Sequence, residues 1–360
     1  MRNNGVSGLL RVKNDAQFLD LCIDSCIDAL DELIIVYQDC CDNSEEIIKQ
    51  KALQYPDKIK FYHYEYPIRS HNLSEEEFKE VSSLPDNSPN LLASYYNYTL
   101  SKSTFKYAIK IDGDQIYNSE KLKKFCNAYK ATTKVQISFK EKIAGYFIIG
   151  WSFFINNFYR IFKHQINYLP SIKLANIYST YILKRIQNEK IPTSFNGINL
   201  FFENGKWKIP LGDYAQNTFP PFNGVYDHIL FKVTADTYYV PCPIKSEHAQ
   251  YNNCVIERFS LNDTFHKPLM LSPNLAHGGF LWYHVAPLKK NYYNNNYSKY
   301  ILITEDLSTN IPKNALKQSL KNKLFDFSRQ WFRLFWRNYH TSIKEAAIWK
   351  NNLQKIKDRL

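Results

Sequence analysis

The chain has 360 residues, 44% of them hydrophobic and 16% aromatic, which suits one large domain or a nucleotide-binding unit joined to a second region. Its net charge of +12 is concentrated at one end, since the segment from Lys313 onward has twelve Lys or Arg and three acids, a net +9. The preceding part is nearly neutral, so we expect a basic appendage on an enzyme and no nucleic-acid partner. The start of the sequence has no apolar run typical of a secretory signal, which predicts a cytoplasmic protein.

Short apolar runs alternate with helical patterns along the first third of the chain. This alternation predicts parallel strands joined by crossover helices, a Rossmann-like α/β fold in which ligands bind at the carboxyl ends of the strands. The predicted strands are 6–12, 33–37, 59–64 and 105–111, and the predicted helices are 15–30, 44–54, 90–101 and 119–129, with Asn118 as the cap of the last.

An acidic turn, Asp112-Gly113-Asp114, follows the fourth predicted strand. Alternate residues of a strand point the same way, and the glycine between the two carboxylates lets the backbone approach a ligand. Hard divalent cations take oxygen ligands. When a group is transferred from a nucleoside diphosphate, such a cation offsets the negative charge of the departing diphosphate. The turn therefore predicts a Mn²⁺ or Mg²⁺ site at Asp112 and Asp114, with an ordinary polar turn as the alternative.

Polar residues also follow the first two strands. Asp39 and Asp42 come after the second strand, where a carboxylate can accept hydrogen bonds from a base or a ribose, although Asp42 could instead cap the next helix. Arg11, Lys13 and Asn14 end the first strand at the same edge and supply cationic and amide donors for the base and the diphosphate. A solvated surface position is an equal alternative for Lys13.

Two later segments depart from this pattern. Residues 143–159 are uncharged and rich in aromatics but are shorter than the roughly 20 apolar residues of a spanning helix, so we expect a buried or membrane-facing helical insertion at about 140–190.

From 314 to 337 apolar and basic residues alternate at helical spacing, which predicts a basic amphipathic helix on an anionic membrane, or alternatively a helix packed on the catalytic domain. The apolar positions are Leu316, Leu320, Leu324, Phe327, Trp331, Leu334 and Phe335, and the basic ones are Lys317, Lys321, Arg329, Arg333 and Arg337.

Four motifs carry a family resemblance: RVKND at 11–15, QDCCDNSEEI at 38–47, SYYNY at 94–98 and IKIDGDQIYNSEKL at 109–122. In order and spacing they resemble the bacterial β-1,4-N-acetylgalactosaminyltransferases that extend lipooligosaccharide, over residues 7–125. More broadly the chain is similar to A-type glycosyltransferases with a DXD motif. The resemblance implies that Asp39 contacts the base, that the acidic pair reaches metal and ribose, and that Tyr96 and Asn97 line the donor pocket. A simple core position is the alternative for Tyr96.

Two further segments resemble the same family, LGDY at 211–214 and WYHVAPLKK at 282–290. They imply that Asp213 is the base that deprotonates the acceptor, with Asp227 and Glu247 as alternatives. They also imply that His284 is a third metal ligand, with His277 as the second candidate.

The resulting expectation is an inverting glycosyltransferase that moves N-acetylgalactosamine or another hexose from a UDP-sugar to a lipooligosaccharide or capsule acceptor, free or lipid-linked. We expect it on the inner face of the cell membrane as a peripheral protein. The predicted sections are a nucleotide-sugar-binding region at 1–135, an acceptor and catalytic region at 136–295 and a membrane-association segment at 296–360. The alternatives are a UDP-galactose or UDP-glucose transferase of another linkage and a catalytically silent scaffold that binds sugar nucleotides.

Overall fold

The computed structural model describes residues 2–148, 150, 169–170, 172–203, 205–210, 229–245, 253–261, 275–289, 300–303, 336–337 and 350–360. Contacts divide the chain into two compact units, Met1–Asp114 with Tyr226–Asn274, and Gln115–Val225 with Leu275–Leu360. Each unit is assembled from two separate stretches of sequence. The three functional sections predicted from the sequence stay a prediction.

The first unit is built on a sheet whose strands lie in the order β3, β2, β1, β4, β10. The first four strands are parallel, and the last pairs antiparallel with β4. The strands are β1 (Asn3–Val12), β2 (Glu32–Tyr37), β3 (Ile59–His63), β4 (Phe105–Asp112) and β10 (Ile229–Lys232). The helices are α1 (Ala16–Cys26), α2 (Ser44–Gln54), α3 (Glu75–Ser82) and α4 (Leu92–Ser101), and a hairpin follows with β11 (Thr237–Ile244) and β12 (Cys254–Leu261).

The parallel strands alternate with helices because β1, β2 and β4 are runs of mostly buried apolar residues, and each crossover needs a helix to return the chain. All six residues of β2 are buried, as are the last eight of β1. On one side, α4 and the hairpin pack a core that includes Leu9, Val36, Tyr95 and Phe231. The predicted α/β class is thereby confirmed.

In its described residues the second unit has a group of helices and three sets of paired strands, the smallest of which joins Leu169–Pro170 to Trp336–Arg337. In the first sheet β7 (Thr193–Asn199) pairs parallel with β13 (Ala276–His284), and β5 (Gln115–Tyr117) pairs antiparallel with β13. In the second, β9 (Lys206–Pro210) pairs antiparallel with both β8 (Phe201–Glu203) and β14 (Tyr300–Ile303). The helices are α5 (Ser119–Lys130), α6 over residues 139–148, α7 (Ile172–Glu189) and α8 (Lys350–Lys357).

The predicted helical insertion is present at both of its ends. Helix α6 packs on α7 through the ion pair between Glu141 and Lys184, at 2.7 Å, and through Gly145, where a side chain would collide with Tyr181. The part of the insertion between them lies outside the described residues. None of the described helices is both long and apolar enough to cross a bilayer.

Most of the predicted tail helix, 314–337, lies outside the described residues, and at its end the prediction is wrong. Trp336 and Arg337 form a strand, β15, that pairs antiparallel with β6 (Leu169–Pro170). The helical spacing of the sequence did not reveal this pairing, in which Trp336 lies opposite Pro170 and Arg337 lies opposite Leu169, residues 166 and 168 positions earlier in the chain. Further on, α8 is helical, with Leu353 and Ile356 buried.

Candidate active site

The central feature of the site is the alignment of Arg11 and Asp112 on neighbouring parallel strands. Arg11 of β1 lies opposite Asp112 of β4 in the sheet register. Its guanidinium donates a 2.7 Å hydrogen bond to the Asp112 carboxylate, which is 27% exposed. The carboxyl ends of parallel strands meet at one edge, so a cation from the first strand and an acid from the fourth face each other there.

A second cation and a second acid complete this group. The ammonium of Lys110 lies 3.5 Å from Asp112 and 3.3 Å from Glu257 of β12. The ring of Tyr96 lies beneath both cations, 3.6 Å from the Arg11 guanidinium carbon and 5.1 Å from the Lys110 ammonium. We call Arg11, Lys110, Asp112, Glu257 and Tyr96 the Asp112 cluster. Two cations and two carboxylates compensate one another, which is the condition for burying charge.

Burial and charge act in opposite directions on the Arg11 guanidinium. Burial alone lowers the pKa of Arg11, but the acidic groups around it, with the carboxylates of Asp112 and Glu257 among them, raise that pKa overall, so Arg11 stays charged. Burial raises the pKa of Tyr96 well above its ordinary value, so the phenol stays neutral. The cluster therefore holds two charged cations paired with two carboxylates at the edge of the sheet.

The acidic turn itself is held close to helix α1. Gly113 is needed there because a Cβ at this position would lie 2.9 Å from a carboxylate oxygen of Asp15. The Cys22 thiol donates to the backbone oxygen of Asp112 at 3.2 Å. Burial raises the pKa of Cys22, with further contributions from Cys26, Asp114 and Asp15, so the thiol stays protonated as a donor. The glycine thus accommodates Asp15 of the same unit.

The two acids that follow β2 have different surroundings. Asp39 is 90% exposed, and its carboxylate lies 2.7 Å from Nε2 of His63, the last residue of β3. Asp42 accepts hydrogen bonds from the backbone N–H groups of Ala16 at 3.0 Å and Ser44 at 3.0 Å. Burial alone raises the pKa of Asp42, but hydrogen bonds from the Ser44 hydroxyl and from the backbone N–H groups of Ala16 and Ser44 lower that pKa overall. Asp42 therefore has a capping task, whereas Asp39 is available to a ligand.

The side-chain amide of Asn14 shapes the loop after β1. Asn14 has a positive φ of 59°, and its side-chain oxygen accepts from the backbone N–H of Cys41 at 2.8 Å. Lys13 is exposed beside it. Asn14 thus ties the turn after β1 to the turn after β2, and its predicted contact with a donor stays a prediction, as does that of Lys13.

Helix α4 contains two predicted donor-site residues, Tyr96 and Asn97, and both contact Tyr239 of β11. Tyr96 belongs to the Asp112 cluster and also meets the ring of Tyr239 edge-on at 4.9 Å. The amide of Asn97 donates to the backbone oxygen of Tyr239 at 2.8 Å and accepts from its N–H at 2.7 Å. Asn97 therefore joins α4 to strand β11, and a role in donor binding is untested.

The remaining predicted site residues belong to the second unit or lie outside the described residues. His284 ends β13 in the second unit, and its Nδ1 lies 2.6 Å from the side-chain oxygen of Asn199. His277 is also in β13, and nothing is described of its side chain. The predicted base, Asp213, and its alternatives Asp227 and Glu247 lie outside the described residues. Their roles remain predictions.

Metal binding can be tested against the donor set of the acidic turn. Among the described residues no three His, Cys, Asp or Glu side chains form a metal-binding group. Asp112 and Asp114 are both partly accessible and supply carboxylate oxygens, the ligand type that Mg²⁺ and Mn²⁺ prefer. Mg²⁺ usually takes only one or two carboxylates and completes its shell with water and phosphate oxygens. Two carboxylates therefore fit such a cation bound together with a diphosphate.

Sequence reasoning did not identify Lys110, Glu257 and His63 as members of the site. Lys110 left a signal, because a lysine inside the apolar run YAIKI is unusual for a buried strand and needs a partner. Glu257 could not be found, since it reaches Lys110 from a strand 147 positions later in the chain.

The first unit has an α/β fold with charged side chains gathered at the carboxyl ends of its parallel strands. Residues 4–191 match the family model described as Beta-1,4-N-acetylgalactosaminyltransferase (CgtA), and the chain belongs to this family. The resemblance recognised over 7–125 is thus confirmed and extends further. Comparison with curated proteins gives no match.

Similarity to solved structures covers about a third of each chain. Glucosyl-3-phosphoglycerate synthase from Mycobacterium tuberculosis, in complex with Mn²⁺, UDP and glucosyl-3-phosphoglycerate, is 19% identical over 32% of this chain and 35% of its own, with a TM-score of 0.19. S. aureus TarS 1–349 in complex with UDP-GlcNAc is 15% identical over 37% of this chain and 36% of its own, with a TM-score of 0.23.

Proposed function

We propose that the protein is an inverting glycosyltransferase that takes N-acetylgalactosamine, or another hexose, from a UDP-sugar and adds it to a lipooligosaccharide or capsule glycan. The observation that carries the proposal is the acidic turn at the end of β4 with Arg11 and Lys110 beside it. Family membership supports the transfer of a sugar.

In the proposed reaction the bond between the anomeric carbon and the diphosphate oxygen breaks, and a bond to an acceptor hydroxyl oxygen forms. The hydroxyl proton passes to a base, for which Asp213 is the candidate from the resemblance. Asp112 and Asp114 would hold the divalent cation, which when bound offsets the charge of the departing diphosphate. Arg11 and Lys110 add fixed positive charge at the same edge, and such preorganised charge is worth most where water is excluded.

Asp39 is the proposed contact of the nucleotide base. Its exposed carboxylate is oriented by His63, and His63 in turn packs against the ring of Tyr37 at 5.3 Å. A carboxylate held in this way can accept hydrogen bonds from a uracil imide and a ribose hydroxyl. Base recognition and phosphate binding would then use the ends of β2, β1 and β4, which lie side by side in the sheet.

The acceptor is proposed to be a glycan, free or lipid-linked, reached from the inner face of the membrane. The sequence supports this through the net charge of +9 from Lys313 onward, because each Lys or Arg near an anionic leaflet contributes about 1 kcal/mol of binding. The contact would be peripheral.

The test is the release of UDP from a set of UDP-sugars, with Mn²⁺ present and then with EDTA. Asp112→Asn and Asp114→Asn should each lower turnover by about 10²-fold or more, because metal and charge stabilisation are lost. Asp57→Asn, at an exposed carboxylate in the turn before β3, is the matched control and should retain full activity.

Turnover within a few-fold of the wild type for both site variants would refute the assignment of the acidic turn. Activity that persists in EDTA would indicate a metal-free transferase. Binding of UDP with Mn²⁺ but no hydrolysis or transfer would indicate a silent scaffold instead. Preference for one UDP-sugar would identify the donor.

A further inference from the structure

Glu257 is a charged residue among apolar neighbours, and it comes from a stretch of sequence remote from the acidic turn. Val255 and Phe259 point the same way as Glu257, because alternate residues of a strand share a face. Val255 is buried, and the ring of Phe259 lies 4.5 Å from that of Phe231 in β10. The side chain of Glu257 is 10% exposed and lies 3.3 Å from the Lys110 ammonium. A carboxylate with so little water around it costs free energy unless a cation compensates it, so Glu257 and Lys110 depend on each other.

The hairpin that contains Glu257 is held on two sides. On one side, the amide of Asn97 in α4 bonds to both backbone groups of Tyr239 in β11. On the other side, the backbone N–H of Val255 donates to the backbone oxygen of Ser70 at 2.8 Å. Because Val255 is two residues from Glu257, the backbone that supports the carboxylate is fixed beside β4.

Lys110 lies between two carboxylates. Its ammonium is 3.3 Å from Glu257 and 3.5 Å from Asp112. Asp112 also accepts a 2.7 Å hydrogen bond from Arg11. With Glu257 ionised, the two cations of the Asp112 cluster face two carboxylates. With Glu257 neutral, the same two cations would face Asp112 as the one remaining carboxylate of the cluster, and the cluster would have a net positive charge.

This charge balance bears on the divalent cation of the proposed function, for which Asp112 and Asp114 are the candidate ligands. A like charge nearby opposes the binding of a cation, and burial strengthens the effect because little water screens it. A cluster with net positive charge would therefore weaken binding of Mn²⁺ or Mg²⁺ at the acidic turn. A compensated cluster leaves the Asp112 carboxylate able to take up such a cation.

We infer that Glu257 is a positioning residue for the metal site, because it compensates Lys110 and so keeps the Asp112 carboxylate available to a divalent cation. Glu257 acts through Lys110 and has no contact with the cation in this role. The inference rests on the proposed function, since it requires a cation at Asp112 and Asp114, but it holds whichever sugar is transferred. Its signature is that the two members of the pair have opposite effects on metal affinity.

The experiment measures binding of Mn²⁺ to the full chain at neutral pH with saturating UDP, from the electron paramagnetic resonance signal of free Mn²⁺. Glu257→Gln should raise the Kd for Mn²⁺ about tenfold, and the increase should persist at high salt because the group is buried. Glu257→Asp keeps the charge and should bind Mn²⁺ nearly as the wild type does.

Lys110→Gln removes the opposing cation and should lower the Kd for Mn²⁺ several-fold. The double variant Lys110→Gln with Glu257→Gln loses one charge of each sign, so its Kd should return close to the wild-type value. Opposite shifts that cancel in this way are expected of a charge balance. A purely structural role would weaken Mn²⁺ binding in both single variants and weaken it further in the double variant.

Glu80→Gln is the matched control, since Glu80 of α3 is also paired with a cation, Arg69, but both side chains are exposed. It should leave the Kd for Mn²⁺ unchanged. Thermal unfolding followed by far-UV circular dichroism shows that each variant is folded. If Glu257→Gln alone does not fold, the opposite shift in Lys110→Gln still decides the question.

Equal Mn²⁺ affinity in Glu257→Gln and the wild type would overturn the inference, as would weaker Mn²⁺ binding in Lys110→Gln. Either result would leave the proposed transferase intact. A wild type that binds no Mn²⁺ even with UDP would instead refute the metal site of the proposed function, and the role of Glu257 with it.

Discussion

Asp39 and Asp42 illustrate how the same residue type three positions apart acquires two tasks. Asp42 is held by the backbone N–H groups of Ala16 and Ser44, at the starts of α1 and α2. Asp39 projects into solvent with His63 beside it. The sequence offered capping and nucleotide contact as interpretations of Asp42, and the geometry favours capping, because both carboxylate oxygens are used there.

The two residues should therefore respond differently to substitution. Asp39→Asn should weaken UDP binding about tenfold with little change in stability, because an exposed side chain contributes little to folding. Asp42→Ala should lower the free energy of unfolding by about 1 to 2 kcal/mol through the loss of its capping bonds. Calorimetric titration with UDP and urea denaturation measure the two quantities. The opposite pattern would reassign both residues.

A base acts on the acceptor and contributes little to binding of the donor. Asp213→Asn should therefore lower the rate of sugar transfer by about 10²-fold or more while the KM for the UDP-sugar stays nearly constant. Asp227→Asn serves as the comparison, since Asp227 is the alternative base. If affinity for the UDP-sugar collapses in the Asp213 variant, this residue belongs to donor binding and another carboxylate is the base.

At the scale of elements, the sequence predicted the first four strands and their helices to within a few residues. Helix α2 has the predicted bounds, and Asn118 caps α5 by accepting from the N–H of Lys121 at 2.8 Å. These elements are local, and their apolar spacing and caps are contained in the sequence. Helix α1 is shorter than predicted, because the chain tightens into a 3₁₀ turn at Ile27–Ala29.

Other elements were missed for identifiable reasons. Helix α3 begins with a capping box between Ser74 and Glu77, a signal that the sequence does contain. Strands β7 to β13 could not be predicted, because their pairing joins residues far apart in sequence and their apolar runs are short. For the same reason the acidic turn of the site was predictable, while its partner Glu257 was not.

Glu32 joins the amino-terminal ends of several elements. It is 1% exposed, and its carboxylate accepts from the Ser7 hydroxyl at 2.7 Å, from the Thr104 backbone and hydroxyl at 2.6 and 2.8 Å, and from Lys60 at 2.8 Å. Burial alone raises the pKa of Glu32, but the hydrogen bonds from Lys60, Ser7 and Thr104 lower it overall. Ionised Glu32 thus ties β1, β2, β3 and the segment before β4.

Because the folded-state pKa is lowered, the stabilisation by Glu32 is present above the unfolded pKa, about 4.3, and is lost as the pH falls through the folded value. Glu32→Gln should lower the free energy of unfolding by about 2 to 3 kcal/mol at neutral pH, and the difference should shrink below about pH 4. Denaturation curves across pH measure this. Glu76→Gln, at an exposed position of α3, should have no effect, and a pH-independent loss at Glu32 would contradict the ionic explanation.

At the scale of the whole molecule, charge is segregated toward the end of the chain. Removal of residues 314–360 would test the predicted membrane contact, but it would also remove α8, in which Ile356 is fully buried. A better test keeps α8 and removes only the charge, by replacing Lys317, Lys321, Arg329 and Arg333 with Gln in the full chain. It should weaken partition onto anionic vesicles by up to about 1 kcal/mol per residue at low salt and leave UDP-sugar hydrolysis intact. Equal co-sedimentation would favour a tail that packs on the protein.

The first unit is completed by residues that are synthesised late, from the second of its two stretches of sequence. The amide of Asn97 bonds to Tyr239, which comes 142 positions later in the chain. Lys110 likewise forms its ion pair with Glu257 only after β12 has been synthesised. A ribosome delivers the chain from its amino terminus, so β1 to β4 emerge well before the strand and hairpin that cover α4. A nascent chain that ends near residue 191, where the family match stops, has two buried cations with a single counter-charge and an apolar helix face open to water. Such a chain is a natural client for chaperones until about seventy more residues have been added.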